Sequence, residues 1–405
     1  MKQIPGGVTA PKGFRAWGVH CGVKSKKADK KDLALILSDQ ECAAAAVYTM
    51  NRVKAAPLYV TMEHLEDGTA WGVAANSGNA NACCPQSHEN AEAMSVSAAA
   101  ATGREPGDFV VASTGVIGQT INISAIQAGL PQAAAALSAD GSDAAAHAIM
   151  TTDTVKKEIA VSLTIGGKEV RLGAIAKGSG MIHPNMGTML AFITTDCAIT
   201  HEMLSDALHE VVARTFNRVT VDGDTSTNDM CVVLANGMAG NSLIEWKDQD
   251  YETFLAALEE VCRYLSRAIA GDGEGASKLV TCKMHGARSE ESAERLAKAV
   301  VGSSLVKAAM FGADANWGRV LCAMGYSKAP FRPEHVDVSF CSQAGSILVC
   351  KQGDGVDFDE DKAKTILTEK EVIIDVDLHE GDESAECWGC DLTYDYVKIN
   401  GDYRT

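Results

Sequence analysis

A chain of 405 residues has room for two or three domains, or for one large composite, and can bury a core without disulfides or a structural metal. With 46% hydrophobic and 22% charged residues it has the balance of an ordinary globular protein. A net charge of −17 repels phosphate backbones, which argues against a nucleic-acid partner and leaves solubility as the simple reading of the charge.

The 13 cysteines are odd in number and scattered from Cys21 to Cys390, as expected of reduced thiols in a cytoplasmic protein. Cys387-Trp-Gly-Cys390 has the spacing of a redox pair but lacks the βαβ opening such a pair needs, and Cys83-Cys84 has no ligand spacing. The ten histidines form no metal-ligand array, so no metal is expected. Residues Met1 to Val8 carry no apolar leader, and no stretch approaches the ~20 apolar residues that span a bilayer; no membrane association is expected.

Strands and helices alternate along the chain. Leu33–Ser38 and Trp71–Ala75 read as strands, and Glu89–Thr102 as an alanine-rich helix. Phe109–Ser113 is a short apolar run ending at Thr114-Gly115, a strand-to-loop corner. Helical pattern returns over Ser124–Leu137, broken near Pro131, and over Ser142–Met150. Gly166-Gly167 joins Glu158–Ile165 to Glu169–Ala176 as a hairpin. A glycine-bearing segment, Lys177 to Gly187, then leads into Thr188–Thr195, a run apolar enough for a strand buried on both faces. Thr200 is placed to cap a helix from His201 to about Phe216, and Met230–Ala235 reads as a strand. The clearest helix covers Tyr251–Ala270, with one apolar stripe from Tyr251 through Leu258 to Ile269 and Gly271 as its terminating glycine. Helices near Ser289–Val300 and Trp317–Met324 and several short strands complete a mixed α/β chain.

Some local patterns invite chemistry and then fail its requirements. Gly271-Asp-Gly-Glu-Gly-Ala-Ser-Lys278 lacks the ending of a phosphate loop and follows a helix, and Asp272 and Glu274 would repel a phosphate. Helix termination accounts for its glycines but not for a glutamate held between them. Asp222, Asp224 and Asp229 begin like a calcium loop without its closing glutamate, so capping of backbone donors is the favoured reading. No serine sits in a nucleophile elbow. The segment around Thr188 offers another route. Breaking the Gly187–Thr188 bond would free an α-amine of pKa about 7.7–8.0 beside the threonine hydroxyl, able to take its proton directly or through a water. On spacing alone, a loop glycine that simply precedes a strand remains the weightier option, because such dipeptides are common.

The motifs taken together change that balance. Lys177-Gly-Ser-Gly-Met-Ile-His-Pro-Asn-Met-Gly-Thr-Met-Leu190 resembles the cleavage segment of the glutamate N-acetyltransferase/ornithine acetyltransferase family of arginine biosynthesis. The blocks Pro5–Pro11, Asn76–Ala82, Ser113–Gly118, Val221–Asp229, Gly312–Arg319 and the ending Tyr396–Thr405 resemble further blocks of that family, in order, over nearly the whole chain. Two positions depart from the commonest pattern: Gly187 and His183 stand where alanine is usual.

The resemblance implies a layered α/β (α+β) sandwich with a C-terminal α/β subdomain from about 280 to 405. It implies self-cleavage at Gly187–Thr188 into an α chain, 1–187, and a β chain, 188–405, assembling two of each. Thr188 would then carry an acetyl group from N2-acetyl-L-ornithine to L-glutamate. Thr114 and Gly115 would form the oxyanion hole, and Thr154, Lys177, Thr188, Glu274, Asn400 and Thr405 would contact substrate. No cofactor is implied, and acetyl-CoA stays open as a second acyl donor. A self-cleaving aminopeptidase or amidohydrolase of the same fold, and an acetyltransferase of secondary metabolism, remain the alternatives.

Overall fold

The computed structural model describes residues 1–23, 30–183 and 189–402. In chain order its strands are β1 (Lys2–Ile4), β2 (Phe14–Val19), β3 (Leu33–Tyr48), β4 (Thr69–Asn79), β5 (Phe109–Val116), β6 (Lys157–Ile165), β7 (Lys168–Lys177), β8 (Leu190–Thr195) and β9 (Met230–Ala235). These form one sheet in the order β1-β6-β7-β8-β9-β3-β4-β5, with β2 paired to β3. The later strands are β10 (Leu279–Ala287), β11 (Asp337–Ser342), β12 (Gly345–Lys351), β13 (Asp354–Gly355), β14 (Glu371–Asp377) and β15 (Glu383–Cys390), and they make a second sheet, β13-β12-β11-β14-β10-β15. The helices are α1 (Ala56–His64), α2 (Ser87–Thr102), α3 (Ile123–Ala135), α4 (Ser142–Ile149), α5 (His201–Arg214), α6 (Gln249–Gly271), α7 (Glu290–Gly302), α8 (Ser304–Phe311), α9 (Trp317–Gly325), α10 (Glu360–Thr368) and α11 (Tyr394–Asp402).

The layering follows from the strand sequences. β8 and β9 are apolar at every position or nearly so, and alternate residues serve opposite faces. Ala191, Ile193, Cys231 and Val233 pack against Leu204, Leu208 and Val211 of α5 and the stripe of α6. Leu190, Phe192, Met230 and Val232 enter the core on the other face, with Ala145 and Ile149 of α4. A further layer, α1 to α3, covers Leu33, Leu35, Phe109 and Val111. Helices α7 to α10 supply the core of the second sheet, where Leu296, Val300 and Ile366 meet Val338, Phe340 and Ile374. The architecture is an α/β layered sandwich.

Local chemistry accounts for several boundaries. Gly166 and Gly167 sit at φ of +54° and +74°, the positive pair a two-residue hairpin turn requires between Ile165 and Lys168. Thr200 Oγ1 accepts from the Met203 amide and opens α5. Three expectations need correction. α3 runs through Pro131 rather than breaking there. The proline lies on the exposed side of the helix, where the carbonyl it leaves unbonded can turn to water, while Ile126, Leu130 and Ala133 anchor the other side. Gly271 is the last helical residue of α6, and the helix is capped by Asp272, so it is not a left-handed terminator. β3 also extends ten residues beyond the expected strand end, to Tyr48, because its second half pairs with β9 from Ala43↔Ala235 to Tyr48↔Met230.

The α6 stripe is the largest helical contribution to the first core. Leu258, fully buried at its centre, should cost about 2–5 kcal/mol when replaced by alanine, a cavity the packed sheet cannot close. Urea unfolding of Leu258→Ala beside the parent chain measures it; a midpoint shift worth less than about 1 kcal/mol would show that the layer repacks freely.

Candidate active site

Four strand ends and a helix end converge at one edge of the first sheet. β4 and β5 run parallel, and near the end of their register Ser77 pairs with Thr114 and Gly78 with Gly115. Gly115 has φ +131°, and a Cβ there would lie 2.4 Å from the Gly78 carbonyl carbon, so only glycine lets the two backbones approach. Asn228 holds this pair of ends by donating to Ala80 O at 2.7 Å and to Ser113 O at 2.8 Å. Lys177 ends β7, paired with Leu190 at the start of β8. Its Nζ donates to Thr114 Oγ1 at 3.4 Å.

Behind Lys177 lies a buried ion bridge. Lys157 Nζ donates to Asp153 Oδ1 at 2.7 Å and to Asp272 Oδ2 at 2.6 Å, and its side chain has no exposed area. Asp153 also accepts from the Gly178 amide at 2.7 Å. Burial alone would push the Asp153 carboxyl up, but Lys177 and Lys157 outweigh it and hold the group below the ordinary carboxylate range. Burial pulls the Lys177 ammonium down, against the attraction of Asp153. Asp272 passes the constraint on: its backbone carbonyl accepts from Ser179 Oγ at 2.7 Å, and Ser179 O accepts from the Glu274 amide at 3.0 Å.

Glu274 is thereby brought against Gly180, where any Cβ would meet its carboxyl carbon at 2.3 Å. Its Oε2 accepts from Asn400 Nδ2 of α11 at 2.8 Å. Asp222 fixes the next residues, accepting from the Met181 amide at 2.6 Å and the Ile182 amide at 2.8 Å, which is the capping role its loop suggested. The result is a cleft of about 190 Å³ whose walls carry Thr114, Gly115, Thr151, Lys177, Glu274 and Asn400. A smaller recess beside it reaches Met189, Ser226 and Asp229.

Of the residues expected to act, Thr114, Gly115, Lys177, Glu274 and Asn400 therefore share one cleft. Thr154 stands behind the wall, its amide donating to Asp272 Oδ2 at 3.1 Å and its hydroxyl to Oδ1, while Thr151 and Thr152 line the cleft from the same turn. Gly187, Thr188 and Thr405 lie outside the described residues. Asp153, Lys157 and Asp229 escaped the sequence reading as site residues. The Asp153/Lys157 spacing of four was the one local signal, and it is too common to single out. Asp229 is 2% exposed, and among the described residues its Oδ2 has no hydrogen-bond partner. Burial raises this carboxyl well above its ordinary value, Ser226 and the Lys177 charge opposing.

The ArgJ family model matches residues 15–405. The arginine biosynthesis bifunctional protein ArgJ of Symbiobacterium thermophilum is 53% identical over 406 residues, covering 100% of both chains. The arginine biosynthesis bifunctional protein ArgJ 1 of Clostridium acetobutylicum is 49% identical over 393 residues, 97% of this chain and 96% of that one. The crystal structure of the arginine biosynthesis bifunctional protein argJ of Bacillus halodurans is 46% identical with a TM-score of 0.51, and 53% of this chain covers 100% of that one.

The environment of Asp229 has a measurable consequence. Unfolded, the carboxyl ionises near its ordinary value of about 4; folded, it ionises only at higher pH, so the folded state binds more protons and loses stability as pH rises between the two values. Asp229→Asn, which cannot ionise, is expected to gain stability over the parent progressively above pH ~4. Parallel thermal melts across pH test this, and curves that stay parallel would contradict a raised carboxyl.

Proposed function

Because the chain belongs to the ArgJ family, we propose that it is an arginine-biosynthesis acyltransferase that cleaves itself before Thr188 and moves an acetyl group from N2-acetyl-L-ornithine to L-glutamate. The observation that carries the reading is a single cleft with Lys177 and Glu274 on its walls beside the Thr114–Gly115 corner. Donor and acceptor are both α-amino acid derivatives. A site serving both needs a cation for a carboxylate and an anion for an amino group, and needs donors for an oxyanion close by.

Cleavage begins as Thr188 Oγ attacks the Gly187 carbonyl carbon. The C–N bond breaks with a proton delivered to the nitrogen, and water hydrolyses the resulting ester. The freed amine of Thr188 then serves as the base for its own hydroxyl, which attacks the acetyl carbonyl of N-acetylornithine; ornithine leaves, and the amine of glutamate takes the acetyl group in turn. Thr114 suits an oxyanion role because its Oγ1 already accepts from Lys177, which leaves the hydroxyl hydrogen available to a developing negative oxygen. Gly115 would contribute its backbone amide. Thr154 would act through Asp272, and Thr405 through the end of the segment that follows α11.

The cut divides the protein into 1–187 and 188–405, the latter including a subdomain from about 280 onward. The full-length match of the B. halodurans chain by half of this one is in keeping with a relative that exists as two chains. The two products would stay together, two of each in the assembled cytoplasmic enzyme. β8 and β9 lie between β7 and β3, so both strands following the cut are hydrogen-bonded to strands preceding it.

Intact mass of the purified protein and of Thr188→Ala tests the first step. Two fragments in the parent, the second beginning at Thr188, with one uncut chain in the variant, are expected. N-Acetylornithine should then add one acetyl group to the second fragment, and glutamate should remove it. A single chain in both samples, or turnover indifferent to glutamate, overturns the reading. Thr114→Ala is expected to lower kcat by about 10²–10³ with little change in KM; an unaltered kcat removes Thr114 from the oxyanion role.

A further inference from the structure

The recess beside the cleft is small and largely polar. It holds about 20 Å³, and Thr114, Lys177, Met189, Ser226, Asn228 and Asp229 line it. A single water needs roughly 10–15 Å³ and two to four polar partners. Thr114 and Lys177 border the cleft as well, so the two spaces meet at the Thr114–Gly115 corner.

Asp229 supplies the first partner. Its side chain is buried at the wall of the recess, and among the described residues its Oδ2 has no hydrogen-bond partner. A buried carboxyl oxygen without a donor is costly, and in a polar recess a water meets the need. Lys177 supplies the second. Its Nζ gives one hydrogen to Thr114 Oγ1 at 3.4 Å and, with three to donate, can serve a water too. Asn228 is already engaged, its Nδ2 by Ala80 O and Ser113 O and its Oδ1 by Thr227 Oγ1.

Chain connectivity says which water this is. The Met230 amide donates to Met189 O at 2.9 Å, which lays Asp229 alongside Met189. Met189 follows Thr188 directly, one Cα step of ~3.8 Å. Self-cleavage passes through an ester on Thr188, whose carbonyl oxygen needs the donors of the Thr114–Gly115 corner. A water in the recess is next to that corner. Burial raises the Asp229 carboxyl, as catalytic bases are raised, so its ionised form takes a proton more readily than an ordinary carboxylate does.

We propose that the recess binds the water that completes self-cleavage, and that Asp229 is the general base for it. This rests on the self-cleavage reading above. The water oxygen bonds to the ester carbonyl carbon while Asp229 Oδ2 takes one of its protons. The bond from that carbon to Thr188 Oγ then breaks, and the proton passes from Asp229 to Oγ. Gly187 is left with a free carboxyl group, Thr188 with its hydroxyl, and Asp229 in its ionised form.

The test follows full-length parent, Asp229→Asn, Ser226→Thr and Thr188→Ala chains through cell-free synthesis. Samples are quenched in denaturant at intervals and weighed intact before and after neutral hydroxylamine, which splits esters and spares amides; Thr188→Ala gives the background. Asparagine keeps the shape of Asp229 and removes the base. Threonine keeps the Ser226 hydroxyl, which accepts from the Asn228 amide at 3.1 Å, and adds a methyl group to the recess. Both variants are expected to finish cleavage about 10²-fold more slowly than the parent and to accumulate a full-length chain that hydroxylamine divides between 187 and 188. Completion at the parent rate in either variant overturns the site. So does a cooperatively melting variant whose full-length chain hydroxylamine leaves whole, because it has stalled before the ester forms. Ser226→Thr decides alone if Asp229→Asn loses its cooperative melt. An uncut parent overturns self-cleavage itself, whereas a cut parent beside unaffected variants overturns only the water site.

Discussion

One ammonium buried between two carboxylates governs the geometry of the cleft. Lys157 has no exposed side-chain surface and is held by Asp153 and Asp272, from segments more than a hundred residues apart. Desolvating such a group is costly, and the arrangement persists because each oxygen and hydrogen has further work: Asp153 grips the Gly178 amide, and Asp272 grips Thr154. Through Gly178 the bridge sets where Lys177 ends its strand, and through the backbone of Asp272 and Ser179 it sets Glu274. The cation and the anion of the cleft are thus positioned by the same anchor, and their spacing is fixed by the fold rather than by two independent loops.

The charge of the cleft depends as much on a group whose ionisation is opposed by burial. Asp229 borders the recess near Lys177, and burial keeps it protonated beyond the ordinary range. An ionised Asp229 would compete with any incoming carboxylate for Lys177. Asp153 is the strongest attraction on that ammonium, ahead of Asp229 and Glu274. Glu274 is separated from these charges by Gly180 and tethered to Asn400, so the opposite sign of charge occupies a distinct part of the wall.

Features set by neighbouring residues were legible in the sequence. The paired glycines of the hairpin, the Thr200 cap, the α6 stripe and the doubly buried run of β8 all follow from local spacing. Pro131 misled because its effect depends on which side of α3 faces water, and that is decided by tertiary packing. The end of β3 misled because an alanine-rich run gains its strand conformation from pairing with β9. The convergence of Thr114, Gly115, Lys177, Glu274 and Asn400 was available only through resemblance of whole blocks, since they come from four separate segments. The Lys157 bridge had no such signal: its two partners are joined only by the fold. The capping role of Asp222 was legible in its loop, whereas the burial of Asp229 seven residues later was not.

β8 and β9 sit inside the first sheet, with β7 on one side and β3 on the other. A polypeptide ending before Thr188 would carry two strand edges facing an empty slot, and its complement would carry two naked strands with apolar side chains on both faces. The uninterrupted backbone joins the strands on both sides of that slot, so a cut before Thr188, as proposed, would follow closure of the sheet. Under the proposed cleavage, order of events is written into strand order: the nucleophile would be freed only in molecules whose first sheet has already closed.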